Sequence, residues 1–205
     1  MRNPSIKALQ QKALRQKKRG QLEEAEKSLA EAIRVAAALL ADLHGTLGGT
    51  LREQGRLHEA AGQYDRGYNI DEQYGIVSSY NALNRLLTRL LARGAPGRPP
   101  VALANIDVQE ELRKVHAMLD GRLGKNQPPD YWAAGDLALV SALMADEPGM
   151  KKGLKLFTGP STPAYAYDAY LNTLSKLLQV EVTESAKLRR LRQGLERAKA
   201  SAPSS

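Results

Sequence analysis

The 205-residue chain contains no cysteine, which excludes disulfides and thiolate metal sites and is compatible with a reducing compartment. Aromatic residues make up 5% of it, with one Trp and one Phe, while leucine and alanine abound, a balance that favours helices over sheets. No run of about 18 apolar residues occurs, so no membrane span is expected. Met1-Arg2-Asn3-Pro4 leads into a charged helix without the apolar stretch of a signal peptide, which points to a cytoplasmic soluble protein or a domain of one. Catalytic motifs are missing too. His44, His58 and His116 stand far apart, outside any His-x-x-x-His or His-Glu-x-x-His pattern, and there is no Gly-x-Ser-x-Gly elbow or Gly-x-x-x-x-Gly-Lys loop. The cluster Gly45-Thr46-Leu47-Gly48-Gly49-Thr50 lacks the preceding strand and the lysine of a nucleotide turn. Neither enzyme activity, cofactor nor metal is expected.

What is present is positive charge, unevenly placed. The formal net charge is +8, and the first nineteen residues hold Arg2, Lys7, Lys12, Arg15, Lys17, Lys18 and Arg19 with no acidic residue. Lys187, Arg189, Arg190, Arg192, Arg197 and Lys199 form a second cluster, and Arg85, Arg89, Arg93 and Arg98 a thinner third. Basic helices can hold nucleic acid through counterion release. No aromatic or glycine-rich RNA-reading motif interleaves with these charges, so a solvated helix face is the default reading.

An internal repeat organises the first third. Gly20-Gln21-Leu22-Glu23-Glu24-Ala25 returns 35 residues later as Gly55-Arg56-Leu57-His58-Glu59-Ala60, each followed by a helical run with a bulky residue (Leu29, Tyr64) and then a small one (Ala32, Gly67). Apolar spacing predicts helices over 5–19, 22–40, 41–54 and 57–70, with Gly20 and Gly55 as breaks. Ala25, Leu29, Ala32, Ile33 and Ala36 are the expected buried stripe of the second. Gly48, Gly49, Ala25, Ala60 and Gly67 would let helix axes approach closely, which would offset the roughly 2 kcal/mol that a glycine pair costs inside a helix.

Leu47-Gly48, Leu51, Gly55, Ala60, Tyr64 and Gly67 resemble the tetratricopeptide repeat. Leu9, Ala13, Gly20, Ala25, Leu29 and Ala32 match less closely, since Lys12 and Gln16 stand where large apolar residues are usual. The resemblance covers roughly residues 6–72. It implies an all-α fold of antiparallel hairpins stacked as a right-handed solenoid.

Further along, 76–93 reads as a longer helix with Asn81, Asn84, Arg85, Thr88 and Arg89 on its polar side. Gly94-Ala95-Pro96-Gly97-Arg98-Pro99-Pro100 cannot continue a helix. The expected organisation is therefore 1–94 repeats, 95–105 linker, 106–200 a degenerate block of helical hairpins and 201–205 a frayed tail. In that block helices are expected over about 107–120, 130–145, a shorter one to Phe157, 164–178 and 183–200. Trp132 is expected on the apolar side of its helix. Tyr167 and Tyr170 share a face, with Tyr165 elsewhere.

Stacked helical repeats usually bind proteins, so the expectation is a non-enzymatic interaction scaffold or adaptor that grips a peptide or partner protein. Lys17, Lys18, Arg52, Asn81, Asn84, Arg85 and Arg89 are the candidate partner-binding residues. Cations and amides in a groove favour an acidic peptide or a free carboxylate. The alternatives are a basic module associating with nucleic acid, and a regulatory subunit of a larger signalling or defence assembly.

Overall fold

Gly20, Gly55 and Gly75 take left-handed φ values of 74°, 78° and 59°, and each closes a helix in the same way. The N–H after the glycine reaches back five residues: Gln21 to Gln16 O, Arg56 to Leu51 O and Ile76 to Asp71 O, at 3.0, 3.0 and 2.8 Å. This bond satisfies carbonyls that a helix end leaves unpaired, and glycine enters the required conformation without steric cost. In the computed structural model, which describes residues 5–76, 78–93, 106–124, 130–159, 162–180 and 185–201, the three turns join α1 (Ile6–Lys18), α2 (Leu22–Glu53), α3 (Leu57–Gln73) and α4 (Tyr80–Arg93). Consecutive helices of this series pack against each other. Among the described residues the chain is all-helical.

The expected break between residues 40 and 41 is absent: α2 runs unbroken for 32 residues. Its middle, Ala36-Ala37-Ala38-Leu39-Leu40-Ala41, holds strong helix formers and neither glycine nor proline. Gly48 and Gly49 do not end it either. A Cβ on Gly48 would lie 3.0 Å from the ring of Tyr64, and one on Gly45 would lie 2.6 Å from the ring of Tyr80. Tyr64 is completely buried, so close helix contact does offset the glycine cost. The expected burial of Leu29 and Ile33 is not found. Both are exposed, because Ala25, Ser28 and Ala32 form the buried face against α1. Gln16, out of place as a polar residue, accepts a 2.8 Å hydrogen bond from Ser28. α4 starts at Tyr80 rather than Ile76, since the Gly75 turn is still closing α3 there.

The second half comprises α5 (Ile106–Leu123), α6 (Tyr131–Leu143), α7 (Glu147–Phe157), α8 (Ala164–Gln179) and α9 (Ser185–Ser201). α6 is buried nearly all round, and α5, α7 and α9 pack on it. Trp132, one of the apolar residues of this helix, stands exposed at its first turn. Tyr167 and Tyr170 each meet Phe157 edge-on at 5.0 Å, and Tyr165 points outward. The linker residues 95–105 and the tail beyond Ser201 lie outside the described residues. The main apolar core nevertheless joins both sides of that linker, since Leu83, Leu86, Leu87 and Leu90 of α4 pack with the leucines of α5 to α9.

Gly153 lets α7 lie directly on the α6 backbone: a Cβ there would sit 2.5 Å from the Ala138 backbone nitrogen and 2.8 Å from Ala134 O. Backbone cannot move aside as a side chain can. Gly153→Ala should therefore lower unfolding free energy by about 2 to 3 kcal/mol through overpacking. Gly62, mid-helix in α3, would have nothing within 4 Å of its Cβ. Gly62→Ala should raise stability by about 0.5 to 1 kcal/mol. Urea unfolding followed by circular dichroism reads both signs.

Candidate functional site

A cleft of about 540 Å³ opens between α2 and α4 on one side and α6 and α8 on the other. The α2–α4 wall presents Arg52, Asp42, Tyr80 and Asn84. Arg52 Nη1 donates to Asn84 Oδ1 at 2.7 Å, and Asn84 Nδ2 donates to the Tyr80 carbonyl at 2.9 Å. One amide thus fixes the guanidinium and spends its own donor on its helix, leaving further Arg52 N–H groups for a ligand.

The opposite wall starts with Asp130, whose side chain caps α6 by accepting from the Trp132 and Ala133 N–H groups. Its second oxygen meets Arg122 Nη2 at 2.5 Å. Trp132 stands above it, with ring centroids 5.4 Å from Tyr131, 6.2 Å from Tyr165 and 5.9 Å from Tyr170. Tyr170 can lie over α6 because Gly135 leaves room; a Cβ there would come within 2.5 Å of the phenol ring.

Asp136 sits beneath these rings. Burial pushes its carboxyl up to about 7, and the nearby Asp130 acts in the same direction while Tyr170 and Arg122 oppose it. The Tyr170 hydroxyl is 2.6 Å from Asp136 Oδ1 and 2.8 Å from the Trp132 carbonyl. A phenol has one proton and cannot serve both acceptors fully. A protonated Asp136 resolves this: the acid donates to Tyr170, and Tyr170 donates to the carbonyl. The same burial and the Asp136 charge raise the Tyr170 pKa well above its ordinary value.

Of the candidate binding residues, the structure brings Arg52 and Asn84 together in this cleft. Asn81 is buried instead, its amide donating to Asp71 Oδ2 at 3.0 Å and to the Ala41 carbonyl at 3.3 Å. It fills the space left by Gly45 and Gly67. Arg85 and Arg89 belong to a four-charge cluster with Asp65 of α3 and Glu111 of α5. Arg89 Nη2 is 2.7 Å from Asp65 and Arg85 Nη2 is 3.2 Å from Glu111. Arg85 also stacks 4.1 Å above the Tyr68 ring. Lys17 and Lys18 are remote, at the end of α1, with no ion pair among the described residues. His44 Nδ1 meets Gln63 Oε1 at 2.8 Å, joining α2 to α3.

Sequence reasoning missed Asp136, Tyr170 and Trp132 as site residues. A signal for Asp136 exists: it is the sole charge between Tyr131 and Leu143, inside a helix otherwise fit for a core. Among the described residues, no cluster of His, Cys, Asp and Glu could hold a metal ion, and no helix is long and apolar enough to cross a membrane. The cleft offers donors, acceptors and aromatic surface. No protein-family model, curated protein or solved structure matches the chain.

The raised Asp136 pKa has a defined sign in stability. The folded chain holds a proton that the unfolded chain releases near pH 4, so this contribution is complete below that pH and is lost as pH rises through about 7. Asp136→Asn, which cannot ionise, should flatten the decline by on the order of 2 to 4 kcal/mol between pH 4 and 8. Unfolding free energies of both proteins at four pH values measure the difference.

Proposed function

We propose that this chain is a non-enzymatic docking module that holds a polypeptide segment of a partner in the cleft between its two helical halves, built from repeats of tetratricopeptide type. The observation that carries the reading is the pairing of an immobilised Arg52–Asn84 donor group with the exposed Trp132 ring on the other wall, which rests on buried Tyr170. Guanidinium and amide groups suit peptide carbonyls and carboxylates. Aromatic rings give contact area at low entropy cost. Acidic Asp42 and Asp130 share the cleft, so the favoured segment carries both a carboxylate or carbonyl for Arg52 and a donor for the opposite wall.

A peptide-display library screened against the whole chain tests this. Enriched peptides should lose about 10-fold or more in affinity to Trp132→Ala and to Arg52→Glu, while Gly62→Ala binds normally. Failure to enrich any peptide, or peptides indifferent to both cleft variants, would refute the assignment.

A second reading has its own support in α1. Lys7, Lys12, Arg15, Lys17, Lys18 and Arg19 stand in and beside this helix without an acidic neighbour in its sequence and without an ion pair among the described residues. Such a strip suits the phosphates of nucleic acid. On that reading, association with duplex DNA or RNA should fall steeply between 50 and 200 mM salt, and Lys12→Glu with Arg15→Glu should abolish it in a fluorescence-anisotropy titration.

A further inference from the structure

α2 is twice as long as one hairpin arm needs, and its surplus face is apolar. Leu22, Leu29, Ile33, Leu40, Leu43 and Leu47 are all between 43 and 64% exposed, and half-buried Ala36 lies in line with them. From Leu29 onward the spacing is four, three, four, three, four. Seven-residue alternation of this kind marks a coiled-coil seam, with Ile33, Leu40 and Leu47 at a and Leu29, Ala36 and Leu43 at d. Leu22 to Leu47 covers three and a half heptads, about 37 Å of helix at 1.5 Å per residue. Packing onto α1 uses Ala25, Ser28 and Ala32, and packing onto α3 and α4 uses Ala41, Gly45 and Gly48. No part of the described chain covers the seam.

We propose that this seam pairs with the α2 seam of a second copy of the chain, the two helices running antiparallel. Two features select that occupant and direction. First, the stripe is self-complementary about a two-fold axis level with residue 38. Leu40 then faces Ala36, Leu43 faces Ile33 and Leu47 faces Leu29, and symmetry repeats each pair, giving six apolar layers that close on themselves. Second, the seam meets charge at one point, Glu26, the a position before Ile33. A parallel pair would set Glu26 against Glu26 at an apolar interface, an unpaired like-charge contact. The antiparallel register sets it against Thr50 at the rim, where water and a hydroxyl are at hand.

The positions flanking the seam agree. Over residues 25–37 the flanking positions are Ala30, which is exposed, and Ala25, Ala32 and Ala37, which are already buried within the chain, so no like charges oppose each other there. The chain's +8 charge resides elsewhere: α2 carries six acidic residues against Lys27, Arg34 and Arg52. Leu14 on α1 and Leu39 are also exposed and add apolar surface at the margins.

Light scattering and sedimentation equilibrium on the whole chain decide the matter. The expected result is a dimer of twice the 22.4 kDa chain mass at micromolar concentration. Leu40→Glu combined with Leu43→Glu should weaken dimerisation by about 100-fold or more. Both side chains are exposed, so helicity by circular dichroism should match the parent chain. Direction is read separately, because the chain has no cysteine of its own. Leu29→Cys mixed with Leu47→Cys should give a disulfide between the two variants, and Leu29→Cys alone should give none. A monomer at all concentrations, a dimer unaffected by the double glutamate variant, a self-linked Leu29→Cys or assembly beyond a dimer would each overturn the proposal.

Discussion

The uninterrupted length of α2 is the constraint on which the rest depends. A helix offers one circumference, and α2 divides it among three claims along its course. Its first half gives one face to α1 through alanine and serine. Its second half gives another to α3 and α4 through Ala41, Gly45 and Gly48. At 100° per residue these two faces are turned well away from each other. Had the helix broken near Ala41, the second half could have rotated to bury Leu40, Leu43 and Leu47. Because it does not break, the leucines stay in line with Leu29 and Ile33 and remain on the outside.

Small residues serve two purposes in the molecule. Around α2 they make room for polar and aromatic side chains: Gly48 receives Tyr64, and Gly45 and Gly67 receive Asn81. In the second half Gly153 brings two backbones together, and Gly135 admits Tyr170 over α6. The polar groups placed by these gaps are held by specific partners. Asn81 reaches Asp71, and Tyr170 links Asp136 to a backbone carbonyl. Arg85 and Arg89 tie α4 to both α3 and α5. Partly buried pairs of this kind add little net stability but penalise any other register strongly, because a broken pair leaves a charge without a partner.

Helix positions and most ends were legible because glycine punctuation and apolar spacing are local signals. The turns at Gly20 and Gly55 could be read directly, as could the contact of Gly48 and Ala60 with neighbouring helices. The site was less legible. Arg52 and Asn84 could be singled out as polar residues on helices, yet their shared cleft depends on α6 and α8, which begin 47 and 80 positions beyond Asn84. Arg85 and Arg89 looked available because Asp65 and Glu111 lie on other helices. The α2 stripe escaped notice for another reason. Dividing 22–53 in two by analogy with a hairpin repeat splits the heptad at Ala41, and each half then reads as an ordinary amphipathic helix.

The two surfaces of α2 point in different directions, and that has a consequence for binding. Arg52 lies about 140° around the helix from the centre of the leucine stripe, by 100° per residue. Pairing through the stripe therefore leaves Arg52 and its cleft uncovered on each copy. A two-fold pair would present two identical clefts at a fixed separation. If the cleft holds a partner segment as proposed, a partner carrying two copies of it would meet the second cleft at high local concentration, and avidity could exceed single-site affinity by about 100-fold or more without any new contact. On that reading, even modest affinity in one cleft would be compatible with firm capture of such a bivalent partner.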